Sequence, residues 1–455
     1  MKTAADLGKD SITSLVFRLA IPAMIAQFVN VLYSIIDRMY IGHIPGTGAL
    51  ALAGVGVCGP IVTLLSSFGT LVGLGGSILV GIRLGEKNFK RAQQILSNSF
   101  LLLCGFSLLL TVVFLVSKAH LLMWFGASET TFSYADTYMT IYTAGTFFAL
   151  MAAGLNYFIN CQGFPFAGMA TVLIGAVSNI LLDPLFIFVL HMGVAGAAVA
   201  TVISQLASCT FALWFLFGKK VPVRITFGQY DVKVMGRILF LGLSPFLILA
   251  TDSILLIVMN TVLQKYGGPS QGDMLITCAT IVQSYMLMIT SPMIGISGGT
   301  QAIISYNYGA KQTQRVKAAE RTILKLMLAF TVLMFLVSRF APQFFVGLFT
   351  SAKEYQEFSV WGIKVFTMMI IPLSFQYVFV DGLTALERTK TALSLSVLRK
   401  SMYVAGTILL PLFFSAKAAF YAEPLADIIS AVISSIIFIL IIDKHLEKRE
   451  QMVVS

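Results

Sequence analysis

The chain of 455 residues is far more apolar than a soluble protein. Hydrophobic residues make up 57%, charged residues only 11%, and the mean hydropathy is +0.88, whereas soluble domains are about half apolar and a quarter charged. The composition therefore excludes a soluble globular domain and indicates a polytopic membrane protein. The five cysteines are odd in number and form no C-x-x-C pair, so we interpret them as small core residues rather than disulfide or metal ligands.

Twelve apolar stretches are each long enough to cross a hydrocarbon core, which takes about 20 helical residues. They predict an all-α polytopic membrane protein with twelve transmembrane helices and little left over for a soluble domain. The first stretch is too long for a signal-peptide core, so we expect it to be retained as a span. The predicted spans are 14–41, 51–82, 92–117, 133–160, 167–190, 194–217, 238–263, 274–306, 318–340, 357–386, 391–414 and 418–442.

Basic residues are distributed unevenly between the predicted loops. With the N-terminus inside, the inner segments hold 22 Lys and Arg and the outer loops hold 5. This asymmetry follows the positive-inside rule, so we expect a multi-pass protein of the cell (plasma) membrane with both termini cytoplasmic. The net charge of +11 therefore reflects topology, and we expect no nucleic-acid partner.

The sequence is duplicated at an offset close to 224 residues. The loop after span two, LGEKNFKRAQ at 84–93, resembles YGAKQTQRVK at 308–317, and landmarks on four spans keep nearly the same offset. We predict two six-helix lobes, 1–222 and 223–455, separated within the basic linker 218–237. Because each half has an even number of spans, a pseudo-two-fold axis along the membrane normal should relate them, with substrate bound between them.

Acids within the spans are the leading candidates for function, because ionised groups are costly inside a membrane. Asp37 on span one, Asp183 on span five and Thr201 on span six all lie about 7–11 Å below the predicted outer surface, at a helical rise of about 1.5 Å per residue. Asn179 and Asp183 are spaced i, i+4 and so share one face of span five. These four side chains should meet in one layer.

A polar stripe along span one supports the same layer. Its steps of three, four and three residues place it on one helix face together with Asp37. Within span five, Pro184 removes a backbone hydrogen bond and leaves the carbonyl of Ile180 available. The stripe residues are Gln27, Asn30 and Ser34.

The assembled donors are all oxygens. Such a negatively charged set suits a hard cation such as Na⁺, and two close carboxylates would also raise the proton affinity of one of them. We therefore predict a site for Na⁺ or H⁺ that includes Asp37 and Asp183. The alternative is structural: Asp183-Pro184 marks a helix end and Arg38 neutralises Asp37.

Three segments make the chain resemble a known family. They are PAMIAQFVNVLYSIIDRMYIG at 22–42, NILLDPLFIF followed by GVAGAAVAT at 193–201, and PMIGISGGTQAIISYNYGAK at 292–311. The resemblance covers nearly the whole chain and is to the multidrug and toxic compound extrusion (MATE) family, in its DinF-like and MepA-like bacterial branch.

This resemblance implies a two-lobed antiporter, not an enzyme, that exports small organic cations or drugs in exchange for Na⁺ or H⁺. By resemblance, the cation site comprises Asp37, Asn179, Asp183 and Thr201, and Pro22 is the helix-bending proline of span one. We expect a monomer in the lipid bilayer with no cofactor beyond the coupling ion.

The second lobe departs from the NorM-like branch of the family, whose acids lie on spans seven and ten. Here Gln376 occupies the expected place on span ten, and the internal repeat aligns Asp37 with Asn260. However, the repeat aligns Thr201 with Asp427. The sequence therefore predicts a second acidic cluster, and leaves open whether it is a functional site or a set of structural ion pairs. Its members are Asp252, Glu423 and Asp427.

Two other classes remain. A lipid-linked-precursor flippase of the same superfamily would need buried cations for a pyrophosphate headgroup. Besides the 27 Lys and Arg counted with the inner and outer segments, the spans hold four, all toward their ends: Arg18, Arg38, Lys325 and Lys364. A membrane-embedded enzyme would need a nucleophile with a base, or a metal triad, at one depth. The sequence shows neither, which favours a transporter of cationic substrates.

Overall fold

The computed structural model describes residues 5–125, 127–350 and 352–451, and these residues form helices without strands. Seven α-helices precede the central linker: α1 (Ile12–Gly42), α2 (Gly48–Gly85), α3 (Phe89–Trp124), α4 (Glu129–Ala144), α5 (Thr146–Cys161), α6 (Pro165–Pro184) and α7 (Gly193–Phe217). Seven follow it: α8 (Val232–Gly309), α9 (Thr313–Phe340), α10 (Pro342–Gly347), α11 (Lys353–Phe366), α12 (Ile370–Ala385), α13 (Thr389–Phe413) and α14 (Ala422–Gln451).

The number of membrane-spanning segments agrees with the sequence. In the described residues, eleven helical segments are long and apolar enough to span, and the bent pair α4 and α5 supplies a twelfth. This confirms the predicted all-α membrane fold. The predicted span 133–160 corresponds to a bent pair of helices, since α4 and α5 meet at 57°. A Cβ at the intervening Gly145 would lie 2.5 Å from the Val202 side chain of α7, so the glycine permits close packing at the bend.

The helix that contains Asp183 changes its winding directly after that residue. Here α6 ends at Pro184 and continues as one π-turn, Leu185–Val189. Pro184 cannot donate a backbone hydrogen bond to the preceding turn, which favours a local change of winding. Single π-turns within α-helices are frequent at functional sites.

The α8 segment runs without an intervening loop but contains two arms, each long enough to span the membrane. The break lies at Gly268, where φ is 63° and ψ is −170°, a backbone conformation that glycine adopts without a Cβ clash. The arms are Val232–Gly268 and Met274–Gly309, and they contain the predicted spans 238–263 and 274–306.

The duplication extends to the backbone of the turns. Lys87 and Lys311, 224 residues apart, both adopt positive φ, 59° and 57°, after α2 and α8. Gly163 and Glu387, again 224 apart, have φ of 85° and 61° after α5 and α12. Equivalent helices of the two halves therefore end in the same left-handed backbone conformation, which is common at helix C-termini.

The chain divides into two compact units whose boundaries fall inside helices. The first contains residues up to Asp10 and Ile25–Leu249, and the second contains Ser11–Met24 and the residues from Ala250 onward. The first half of α1 therefore belongs to the second unit, and the first turns of α8 belong to the first unit. In α1 the change of unit comes two residues after Pro22. The predicted lobe boundary between 222 and 223 stays a prediction.

Glycines permit close helix packing within each unit. A Cβ at Gly242 of α8 would lie 1.8 Å from the Leu71 carbonyl oxygen of α2. In the second unit, a Cβ at Gly295 would lie 2.7 Å from the Met24 Cα, and one at Gly299 would lie 2.5 Å from the Ala23 Cβ. Small residues allow membrane helices to approach in this way, and the close packing contributes van der Waals energy.

The linker between α7 and α8 is held against the first unit. Val221, Val223 and Ile225 alternate along it and are buried, as expected for an extended segment packed on one face. Its Gln229 carbonyl accepts hydrogen bonds from the Gln94 side chain (2.9 Å) and from the Asn98 side chain (3.1 Å) of α3.

Candidate cation site

The first unit brings together the four residues predicted to form the cation site, from α1, α6 and α7. Asn179, Asp183 and Thr201 are buried. The Asn179 Nδ2 donates to Asp183 Oδ1 at 3.2 Å and to Thr201 Oγ1 at 3.4 Å, while Thr201 Oγ1 donates to the backbone carbonyl one turn earlier at 2.9 Å. The carboxyl groups of Asp37 and Asp183 lie close enough to interact electrostatically.

Three oxygens of this cluster lack partners. Asp37 Oδ1, Asn179 Oδ1 and Asp183 Oδ2 are buried and accept no hydrogen bond from the described residues. Buried polar atoms without partners are rare and costly in native proteins. Arg38 is exposed and forms no salt bridge with Asp37 among the described ion pairs. A proton or a small cation would satisfy these oxygens.

Two tyrosines that the sequence analysis did not single out also contact the site. Tyr138 and Tyr142 of α4 are buried, and their rings stack at 6.1 Å with an interplanar angle of 12°. The Tyr138 hydroxyl contacts the Thr201 side chain, and the Tyr142 hydroxyl accepts from Gln205 Nε2 at 3.3 Å. Their i, i+4 spacing on span four was the available signal.

The polar stripe and the bending proline occupy other parts of α1. The stripe residues are partly exposed, and the described hydrogen bonds do not join their side chains to the cluster. Pro22 is buried within the continuous helix. The stripe thus borders the site without belonging to its hydrogen-bonded set; its members are Gln27, Asn30 and Ser34.

The second predicted acidic cluster is paired with basic residues of α13. Arg399 Nε donates to Asp427 Oδ1 at 2.9 Å, and Arg399 Nη2 donates to Glu423 Oε1 at 2.7 Å. Lys400 forms an ion pair with Asp252. The count of inner basic residues included Arg399 and Lys400, although the predicted span 391–414 contains both; in the structure they lie within α13, so they do not belong to the loop. These charges compensate one another within the helix bundle.

The second half does not repeat the chemistry of the first site. At an offset of 224, Asn179 and Asp183 correspond to Tyr403 and Thr407, which carry no charge. The carboxylate contributed by α6 therefore has no counterpart on α13. The two halves share a backbone plan but differ in their polar sites.

The fold and the site together define a membrane-embedded transporter built from two repeated halves, the first of which holds the Asp37 and Asp183 carboxyl groups inside its helices. Comparison with family models agrees: the MatE model matches residues 22–185 and 249–412, one match in each half. The chain belongs to the MatE family, whose members are multidrug efflux transporters and not enzymes.

Relatives and solved structures cover nearly the whole chain. The multidrug export protein MepA of Staphylococcus haemolyticus is 24% identical over 414 residues, which is 90% of this chain and 88% of that protein. MepA of Staphylococcus saprophyticus is 23% identical over 447 residues, or 96% of this chain and 95% of that protein.

The same fold occurs in an outward-facing multidrug resistance MATE transporter of the MOP superfamily, with a TM-score of 0.90, 21% identity and coverage of 98% of this chain and 100% of that one. It also occurs in a MOP superfamily transporter from Pyrococcus furiosus Vc1, with a TM-score of 0.89, 22% identity and the same coverage.

Proposed function

We propose that this protein is an antiporter that exports small organic cations in exchange for Na⁺ or H⁺. The observation that carries the proposal is the proximity of Asp37 and Asp183, each of which has a buried carboxylate oxygen without a partner, next to the unpartnered amide oxygen of Asn179. A coupling ion must bind in one state of the transport cycle and leave in another. Buried carboxylates that lack a permanent countercharge can do both, whereas acids held in a salt bridge cannot.

The charge of the described interior supports a cationic substrate. Arg399, the buried basic residue of α13, is engaged by Asp427 and Glu423, so its charge is compensated and does not offer a site for a pyrophosphate headgroup. A lipid-linked-precursor flippase is therefore the weaker alternative. The MepA relatives are multidrug export proteins, which agrees with a substrate class of drug-like cations.

The proposed cycle changes the shape of α1. Pro22 interrupts the hydrogen-bond ladder of this helix, and Asp37 lies four turns further along it. A MATE transporter with this fold has been solved in a straight and in a bent conformation. An ion shifts such an equilibrium only through different affinity for its two states, so the occupancy of the Asp37 and Asp183 pair would select one shape of α1.

The test is drug efflux by the purified full-length protein in proteoliposomes. A fluorescent organic cation is loaded, and its movement is recorded under an imposed Na⁺ gradient and, separately, under an imposed pH gradient. Coupled transport under at least one gradient is expected. Transport of a lipid-linked sugar without transport of the cation would contradict the proposal in favour of a flippase.

Substitutions at the carboxyl pair connect this activity to the site. Asp37→Asn and Asp183→Asn should each abolish coupled transport, because an amide can neither exchange a proton nor supply a full charge. Asp136→Asn is the matched control: it makes the same change on α4, where Asp136 forms a partly exposed ion pair with Lys118 at 2.7 Å. Wild-type rates for both site variants would contradict the assignment.

A further inference from the structure

The second unit contains another pair of acids, outside the site described above. Glu320 of α9 is only 4% exposed, and both of its carboxylate oxygens are buried without a hydrogen-bond partner among the described residues. Its carboxylate lies against α12, since a Cβ at Gly382 would approach Glu320 Oε1 to 2.0 Å. The neighbouring residue of α12 is Asp381, whose charge acts on Glu320.

Two polar side chains of α8 complete this cluster. The Ser297 hydroxyl donates a hydrogen bond to Asp381 Oδ2. One turn further along the same face, Gln301 contacts Asp381 and is 3% exposed, yet neither its amide nitrogen nor its amide oxygen meets the geometry of a hydrogen bond. The cluster therefore holds a second buried polar side chain without a hydrogen-bond partner among the described residues, in addition to Glu320, and such groups are rare in native proteins.

Neither Glu320 nor Asp381 takes part in an ion pair among the described residues. Arg321 and Lys325 of α9 are exposed, and four other charged or titratable groups of the surrounding helices have partners of their own. These are Lys317 of α9 with Asp443 of α14 at 2.6 Å, Arg315 of α9 with Asn307 at 2.9 Å, His445 of α14 with the Leu386 carbonyl at 2.9 Å and with Tyr308 at 3.1 Å, and Arg399 of α13 with Asp427 and Glu423.

The pair belongs to the second half alone. At an offset of 224, Glu320 corresponds to Leu96 and Asp381 corresponds to Tyr157, so the duplicated plan does not require acids here. Glu320 lies seven residues into α9, about 10 Å along the helix from its start at 1.5 Å per residue. Asp381 is four residues from the end of α12, and both acids are near turns that carry basic residues.

We propose that Glu320 and Asp381 form a second proton-binding site, which holds one proton between the buried carboxyl group of Glu320 and the partly exposed carboxyl group of Asp381. Two adjacent carboxylates without a countercharge cannot both remain ionised in a low-dielectric interior, and protonation of one removes the charge at least cost. Asp381 is partly exposed and provides access for the proton. The proton is taken from water and returned to water, so the step needs no other reactant.

Infrared difference spectroscopy of the full-length protein in lipid vesicles tests this site without measuring transport. The spectra are recorded in an Asp37→Asn/Asp183→Asn background, so that the first carboxyl pair does not contribute. A protonated-carboxyl band that shifts on exchange into D₂O is expected near neutral pH. Glu320→Gln should remove this band, and Asp381→Asn should retain it at a changed frequency because its neighbour has changed.

An exposed glutamate and the thermal stability of Glu320→Gln serve as controls for this experiment. Glu354→Gln on α11, where the side chain is exposed, should leave the band unchanged. Glu320→Gln should also melt like its parent, since glutamine is close in shape to a protonated glutamate. A spectrum of Glu320→Gln identical to that of its parent would overturn the proposal. Loss of the band on adding Na⁺ at constant pH would also overturn it, because it would indicate a metal-cation site instead. Because the assay does not depend on drug transport, its failure is separable from failure of the proposed function.

Discussion

Replacement of Arg399 by methionine should severely destabilise the second unit. Arg399 forms contacts of 2.7 Å with both Glu423 and Asp427, and the Asp427 side chain is fully buried, with its Oδ2 already lacking a partner. At an effective dielectric constant of about 20, a pair of unit charges at about 4 Å interacts by about 4 kcal/mol. Removing one member of a buried pair costs about 3 to 5 kcal/mol because the other charge stays buried.

The neighbouring residue provides a matched control for this prediction. Lys400→Met removes a charge at the next position of α13, but its partner Asp252 is 47% exposed. Water can solvate the released carboxylate, so the expected loss is below about 1 kcal/mol. The double variant Arg399→Met/Asp427→Asn should recover much of the stability lost by Arg399→Met, since the buried charge is then gone.

Thermal unfolding in detergent, followed with a thiol-reactive dye, measures these differences. Four of the five cysteines are buried and the fifth is partly buried, so unfolding exposes new thiols. Equal unfolding temperatures for Arg399→Met and Lys400→Met would refute the reasoning. The second acidic cluster would then have no structural role, and its acids would again be candidates for ion binding.

Three further outcomes are expected. Gly242→Val should reduce the yield of folded protein in detergent chromatography, because its Cβ would lie 1.8 Å from the Leu71 carbonyl oxygen. The control Gly236→Val on the same helix, where a Cβ meets nothing within 4 Å, should leave the yield unchanged. Equal yields of the two variants would contradict this packing. In a cysteine-free background, a membrane-impermeant thiol reagent should label a cysteine at Thr47 and miss one at Asn88 in intact cells, whereas the opposite pattern would reverse the orientation. Tyr138→Phe should weaken coupled efflux in proteoliposomes by removing the hydroxyl that contacts the Thr201 side chain, and an unchanged rate would mean that the tyrosine only fills space.

The sequence was sufficient for the overall fold because spans and loops differ strongly in composition. Hydrophobic length predicts a helix whether or not its neighbours are known. The bend at Gly145 could not be predicted in this way, because it depends on the approach of Val202 from a helix distant in sequence. Hydropathy alone gives no signal for such a contact.

The candidate cation site was predicted because its acids lie inside apolar spans, where ionised groups are costly and usually functional. Arg399 lies within the predicted span 391–414, but it follows the basic residues Arg388 and Lys390, so the charge count assigned it to the inner loop. In the structure it lies ten residues into α13, where Asp427 and Glu423 of α14 compensate it. Glu320 was not considered because it stands near a predicted span boundary, and its burial follows from packing against α12.

The division of α1 between the two units has a consequence for biosynthesis. Ser11–Met24 is translated well before the rest of the second unit to which it belongs, and it packs against Gly295 and Gly299. About 270 residues separate these partners, which corresponds to roughly 15 to 55 seconds of elongation at about 5 to 20 residues per second. During that interval the first helix is in the membrane without its final neighbours. We therefore expect the protein to depend on insertion factors that shield this segment until the second half of the chain has been made.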